Sequence, residues 1–307
     1  MSTPSTTKPG VTNWLLVIAL GIVWGTAFMG TTLALEAISL WWVAAGRVAI
    51  AAAILLPLSA MMGQGVQHIR GARAWCFVTV IGIFSLALPL TLLAWGLNYV
   101  PSAFAGVAMG AVPLLVLPLV AIFSPEEGIG PRRVIGVCLG FVGLLLLVGP
   151  GAFGEGTMGG RLACMATAAC YAVGSVMTRR APKMPPIAFA AASLAMGALV
   201  LMPLAWVMDG PPQITQTSAA WALLYTAAFP TGLAAILRVQ VITSAGSLFM
   251  SFTSYMVPVW AVLFGVTLMG EALPPQLFWA LGLILVGIGI SQSRALLQQL
   301  RPKTKTQ

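Results

Sequence analysis

The feature that most constrains this chain is the recurrence, from end to end, of apolar stretches about 18 residues or longer, each able to cross a hydrocarbon core about 30 Å thick as a helix. Hydrophobic residues make up 59% of the 307 and charged residues only 7%, where an ordinary soluble domain has roughly 25% charged. An all-helical membrane protein follows, with no segment left over for a soluble domain. Breaks at Gly, Pro, Ser and charged residues predict ten spans: Asn13 to Leu35, Trp41 to Met61, Trp75 to Asn98, Ala103 to Phe123, Val134 to Val148, Gly160 to Met177, Ile187 to Met208, Ala219 to Val241, Leu248 to Met269 and Gln276 to Ser293.

Charge sets the expected orientation. The even loops and both tails hold Lys8, Arg70, Arg73, Arg132, Arg133, Arg179, Arg180, Lys183, Arg294, Arg301, Lys303 and Lys305, whereas the odd loops hold only Arg161. By the positive-inside rule both termini face the cytoplasm. That places Glu36, Glu155, Asp209 and Glu271 outside, and Glu126 and Glu127 inside. The net charge of +9 is the ordinary basic bias of span ends and implies no nucleic acid. Residues 1–12, opening MSTPSTTKPG, are expected to be a disordered cytoplasmic N-terminus, and 294–307 a basic cytoplasmic tail. The first apolar segment exceeds the core of a signal peptide and should remain as span one.

The chain also repeats itself. VPLLVLPLVAIFSPE at 112–126 and VPVWAVLFGVTLMGE at 257–271 share a proline and a glutamate at a shift of 145 residues. Pro57 pairs with Pro203, Pro89 with Pro230, and Ser102–Ala103 with Ser244–Ala245. The glycines Gly136, Gly140 and Gly143 have looser echoes in Gly282, Gly287 and Gly289. Two five-helix units, 13–150 and 151–293, are implied. Five being odd, the second must enter the membrane inverted, the arrangement by which many secondary transporters open a midplane site to alternate sides. Duplication that merely builds a stable bundle is the rival explanation.

These residues resemble the EamA-type transporters of the drug/metabolite transporter (DMT) superfamily. The resemblance rests on the Trp24–Gly25 pair of VWGTAF, Arg47 in span two, the Pro and span-end Glu of each copy (Pro113 with Glu126, Pro258 with Glu271), and the glycine-rich fifth and tenth spans. Within that family the chain is similar to YddG-type exporters of aromatic amino acids. Two departures stand out: Ser39–Leu40 where the family often has a proline, and Pro125 in place of a glycine before the glutamate. The resemblance implies a ten-helix exporter of small metabolites without a covalent cofactor.

Polar and aromatic groups at membrane depth are the site candidates, because a costly side chain there is usually turned inward. Arg47 is read as a structural charge, since intramembrane cations are often paired within the bundle. Arg238 breaks the symmetry of the repeat, its counterpart being Leu97, and either snorkels to a headgroup or binds a carboxylate. Trp95 and Tyr99 lie one turn apart beside Asn98, placed to stack a flat group or to join an interfacial aromatic belt. Trp24 with Thr26, and Tyr171 with Ser175, are expected at corresponding places in the two copies as cavity walls, with core packing the alternative for Trp24. Ser251 and Tyr255, with Ser254, add hydroxyls before Pro258. Pro89, Pro113, Pro230 and Pro258 each remove a backbone donor and should bend spans three, four, eight and nine as hinges or as static kinks.

Other chemistry is absent from the sequence. Cys76, Cys138, Cys164 and Cys170 have no CxxC spacing and share the chain with one histidine, His68, so no zinc set, disulfide framework or metal site is expected. There is no HExxH, phosphate loop or GxSxG elbow, and an enzyme is not expected. Every carboxylate lies at a span end or in a loop, which argues against a proton relay. The expectation is a multi-pass inner-membrane secondary transporter, cofactor-free and functional as a monomer. It would export amino acids, aromatic ones included, by alternating access. A broad drug/metabolite exporter of the same fold, or a passive small-solute channel, are the alternatives.

Overall fold

The computed structural model describes the backbone of residues 10–123, 130–149 and 158–300. The expectations placed on Lys8, Pro125, Glu126, Glu127, Glu155, Arg301, Lys303 and Lys305 lie outside the described residues. Among those described, the chain is entirely helical. The rods are α1 (Val11–Leu35), α2 (Leu40–Met61), α3 (Ala72–Leu97), α4 (Ser102–Met109 continuing as Ala111–Phe123) and α5 (Pro131–Val148). They continue with α6 (Met158–Arg179), α7 (Pro186–Asp209), α8 (Thr217–Ala245), α9 (Ser247–Met250 continuing as Thr253–Thr267) and α10 (Pro275–Leu300).

Seven of the described helices, α1, α2, α3, α4, α6, α7 and α8, are long and apolar enough to cross a membrane, and α5, α9 and α10 carry shorter apolar stretches. Their outward faces need an apolar solvent: Val207 is 79% exposed, and Leu145 and Trp279 are each 72% exposed. Water would meet these surfaces at a cost that lipid does not impose. α10 runs seven residues past the expected end at Ser293, because ALLQQL is made of good helix formers. Part of the expected tail is therefore helix.

Local chemistry fixes the rod ends. The Ser39 hydroxyl accepts from the Trp42 amide at the start of α2, satisfying one of the helix's free donors. Pro131, Pro186 and Pro275 open α5, α7 and α10, where their missing N–H costs nothing. α7 and α8 stop at Gly210 and Gly246, whose φ values of 70° and 90° are disfavoured for residues with a Cβ.

The packing has a two-fold order. α2 lies along α7, α4 along α9 and α5 along α10. The remaining large contacts come in matched pairs: α1 with α9 and α6 with α4, α1 with α8 and α6 with α3, α2 with α8 and α7 with α3. Exchanging each of the first five helices for its counterpart in the second five maps this set onto itself. Small residues permit the close crossings. A Cβ at Gly106 would lie 2.1 Å from that of Ala261, one at Gly25 would lie 2.5 Å from that of Trp260, and Gly136 and Gly287 meet backbone to backbone.

Side-chain bonds define two ends of the bundle. At one, the Ser244 hydroxyl donates to Asn13 Oδ1 (2.7 Å) and the Ile187 amide donates to Gln64 Oε1 (3.3 Å). At the other, the Ser39 hydroxyl donates to the Asp209 carboxylate and the Trp42 indole to the Gly210 carbonyl (3.0 Å). Also at this Ser39 end, Gln276 Nε2 donates to the Leu146 carbonyl (3.0 Å).

Candidate functional site

The centre of the bundle is organised around the bend in α8. Pro230 has no N–H for the Thr226 carbonyl one turn back, and residues Ala227–Leu233 widen into a π-helical turn. The Thr231 hydroxyl takes over, donating to the Thr226 carbonyl at 2.9 Å. That hydroxyl in turn accepts from Arg47 Nε of α2 (2.9 Å), while Arg47 Nη1 donates to the Thr31 hydroxyl of α1 (3.2 Å). The Trp24 indole donates to the Pro230 carbonyl (3.0 Å). The Tyr225 phenol meets the Thr26 hydroxyl at 2.5 Å, and its ring stacks on Phe229 with centroids 5.4 Å apart. α1, α2 and α8 are thus tied together at one bend.

The bend in α3 is built alike. A π-helical turn over Gly82–Ala87 precedes Pro89, and the Pro89 carbonyl accepts from the Thr167 hydroxyl of α6 (3.2 Å). In both halves a donor on the crossing helix holds the proline carbonyl. Those donors are Trp24 and Thr167, so Thr167 occupies the place of Trp24 in the second half, one turn before Tyr171. Tyr171 instead lies within electrostatic range of Arg47, with Ser175 one turn further along α6; both are half-buried. α4 is interrupted at Gly110, three residues before Pro113, whereas Pro258 sits inside the continuous helix Thr253–Thr267. The break in α9 falls earlier, at Ser251 and Phe252.

The remaining candidates divide between the two ends. Trp95 and Tyr99 pack edge to face, ring centroids 5.2 Å apart. They lie against Gly159 and Gly160 at the start of α6 and are 37% and 44% exposed. Asn98, also exposed, closes α3 beside them. All three belong to the Ser39 end. Arg238 lies seven residues before the end of α8, towards the Asn13 end, and is exposed. Asn98 and Arg238 therefore do not meet in this conformation. Tyr255 of α9 is half-buried, and its buried phenol oxygen has no partner among the described residues. Ser251 is half-buried.

Two charges that sequence reasoning placed at span ends or in loops, without partners, do structural work. The Glu271 carboxylate accepts from the amides of Ser102 (2.6 Å) and Ala103 (3.0 Å), neutralising the positive N-terminus of α4. Arg161, the basic residue that stood alone among the odd loops, is 3% exposed in the first turn of α6. Its Nη1 donates to the Gly149 carbonyl (2.9 Å), capping the C-terminal end of α5. Sequence reasoning passed over Tyr225, Thr231, Thr31 and Thr167. Their signal was available for Thr231 alone, a hydroxyl directly after a mid-span proline. Among the described residues no group of three or more His, Cys, Asp or Glu could hold a metal ion.

With this geometry in hand, comparison with known proteins gives the family. The EamA-like transporter family profile matches residues 12–149 and again 158–292. The chain belongs to the EamA-like transporter family. It is 27% identical over 270 residues to the WAT1-related protein At3g02690, chloroplastic, of Arabidopsis thaliana, covering 84% of this chain and 64% of that protein's length. It is 26% identical over 279 residues to the uncharacterized inner membrane transporter YedA of Escherichia coli strain K12, covering 89% of this chain and 88% of YedA. An uncharacterized transporter of Archaeoglobus fulgidus is 23% identical over 286 residues. A solved crystal structure aligns over 93% of this chain and 99% of its own with a TM-score of 0.68 at 24% identity, a likeness of fold. This EamA member is accordingly a multi-pass membrane protein of a transporter family.

Proposed function

We propose that this EamA protein is a secondary transporter of the inner membrane that exports small metabolites, amino acids including aromatic ones, by alternating access. All ten rods span in this reading, the shorter apolar stretches of α5, α9 and α10 included, with both termini cytoplasmic and the second five helices inverted. The single observation that carries it is a motif written twice: a π-helical turn just before Pro89 and another around Pro230, each proline carbonyl held by the crossing helix of the other half. Two matched bends on either side of a central region are what rocking one half against the other requires. The two matches of the family profile and the two-fold order of helix contacts support the repeat.

The cargo region then lies among Trp24, Thr26, Tyr171, Ser175 and Tyr255, whose aromatic faces and hydroxyls suit a small amphipathic molecule. Trp95, Asn98 and Tyr99 form its outer mouth, and Arg238 with Ser251 its inner one. A monomer contains every part, and no cofactor enters the cycle. The test is efflux from proteoliposomes loaded with labelled phenylalanine, tryptophan or alanine. Saturable release above protein-free vesicles supports the reading, and release of none of them removes the amino-acid cargo. A broad drug/metabolite exporter would release unrelated amphiphiles equally well, and a passive channel would release cargo without saturation.

A further inference from the structure

Arg47 carries more charge than its neighbours answer. It is 7% exposed, about 10 Å along α2 from the Ser39 end at 1.5 Å per residue. Its two bonded nitrogens, Nε and Nη1, face the hydroxyls of Thr231 and Thr31. Hydroxyls satisfy hydrogen bonds but do not neutralise a cation. Among the described residues Nη2 donates to nothing, and the carboxylates are committed elsewhere: Asp209 to Ser39, Glu271 to the start of α4, and Glu36 at the exposed end of α1. A buried guanidinium without a counter-charge is costly, and such groups in membrane proteins mark pathways for ions and substrates.

The surroundings fit one kind of counter-charge. The Tyr171 phenol lies within electrostatic range of Arg47, and through Thr231 the guanidinium is tied to the proline turn of α8 whose Pro230 carbonyl accepts from Trp24. A planar fork with one nitrogen unbonded among the described residues, in a region that also holds a phenol and an indole, matches a carboxylate attached to an apolar or aromatic body. We infer that Arg47 is the anion-recognition residue of the central region, and that the cargo must bring a carboxylate, as a zwitterion or an organic anion, so that purely cationic amphiphiles are rejected. This rests on the transport reading above and narrows it. Since the same guanidinium holds Thr231 at the α8 bend, seating a carboxylate on it would act directly on the bending helix.

The test compares three probes that share one aromatic body in proteoliposome efflux: phenylalanine, 3-phenylpropionate, which lacks the ammonium, and phenethylamine, which lacks the carboxylate. The native protein should favour the two carboxylates over phenethylamine by roughly tenfold to a hundredfold, the range of one hydrogen bond to a charged group. Arg47→Gln should abolish that preference, and Arg47→Lys, which keeps the charge but loses the fork, should retain part of it. A preference for phenethylamine in the native protein, or an unchanged carboxylate preference in a folded Arg47→Gln variant, overturns the inference. Thermal stabilisation of the purified native protein by the same three probes separates it from the transport reading. Stabilisation by carboxylates without efflux would sink transport and keep the anion site, whereas efflux without any carboxylate preference would do the reverse. If Arg47→Gln does not fold, the native preference and the Arg47→Lys variant decide.

Discussion

Removing the Glu271 carboxylate should destabilise the bundle more than any other single end-cap change. The carboxylate serves two α4 amides, Ser102 N at 2.6 Å and Ala103 N at 3.0 Å, from a half-buried position. An N-cap side chain contributes about 0.5–2 kcal/mol, and a negative charge at a partly buried helix N-terminus up to about 2 kcal/mol. Glu271→Ala should therefore cost about 2–3 kcal/mol. In a chain of this size that lowers the unfolding midpoint by roughly 3–5 °C. Glu271→Gln keeps an acceptor oxygen but loses the charge, so its loss should be smaller. Gly265 packs on the same group, a Cβ there falling 2.5 Å from Glu271 Oε2, so Gly265→Ala should displace the carboxylate and behave like Glu271→Ala. Thermal unfolding of the purified protein in detergent, followed by light scattering or intrinsic fluorescence, reads all three. A midpoint unchanged in Glu271→Ala would refute the assignment of Glu271 as the cap of α4.

Arg161→Met should lower stability by about 1–2 kcal/mol through the lost carbonyl cap on α5 while leaving the order of preference among cargoes unchanged, which unfolding and efflux assays check together. Trp24→Phe removes the donor to the Pro230 carbonyl and should cost about 1 kcal/mol; a double change with Thr167→Val should slow efflux more than the sum of the singles if the two bends work together. Gly106→Ala places a methyl 2.1 Å from that of Ala261 and should force α4 and α9 apart, seen as lost expression or a sharply lowered midpoint. Tyr225→Phe removes the phenol that meets the Thr26 hydroxyl and should weaken cargo efflux without changing the unfolding midpoint by more than about 1 kcal/mol equivalent.

Much of the helix pattern was legible because apolarity and length decide it. The expected span Trp41 to Met61 meets an observed helix of Leu40–Met61, and Ile187 to Met208 meets Pro186–Asp209. The irregular turns in α3 and α8 lie next to Pro89 and around Pro230, where a proline leaves the carbonyl one turn back without its amide donor. In α9 the break falls at Ser251 and Phe252, ahead of Pro258, which lies within the helix Thr253–Thr267. Polar partnerships were not legible. Nothing in the spacing shows that Glu271 reaches back to Ser102, 169 residues earlier, or that Thr26 meets Tyr225 across 199 residues. The hydrogen bonds to the two proline carbonyls come from Trp24 and from Thr167, the latter one turn before Tyr171. A helix tolerates a one-turn offset between copies, because residues four apart share a face.

Carriage of cargo in alternation, as opposed to passage through an open pore, is the reading that counterflow tests most directly. Proteoliposomes preloaded with unlabelled phenylalanine and given a trace of labelled phenylalanine outside should accumulate label transiently above equilibrium, because a carrier that has released cargo outside returns with whatever it meets there. Label that only equilibrates, at the same rate in loaded and empty vesicles, would contradict the account.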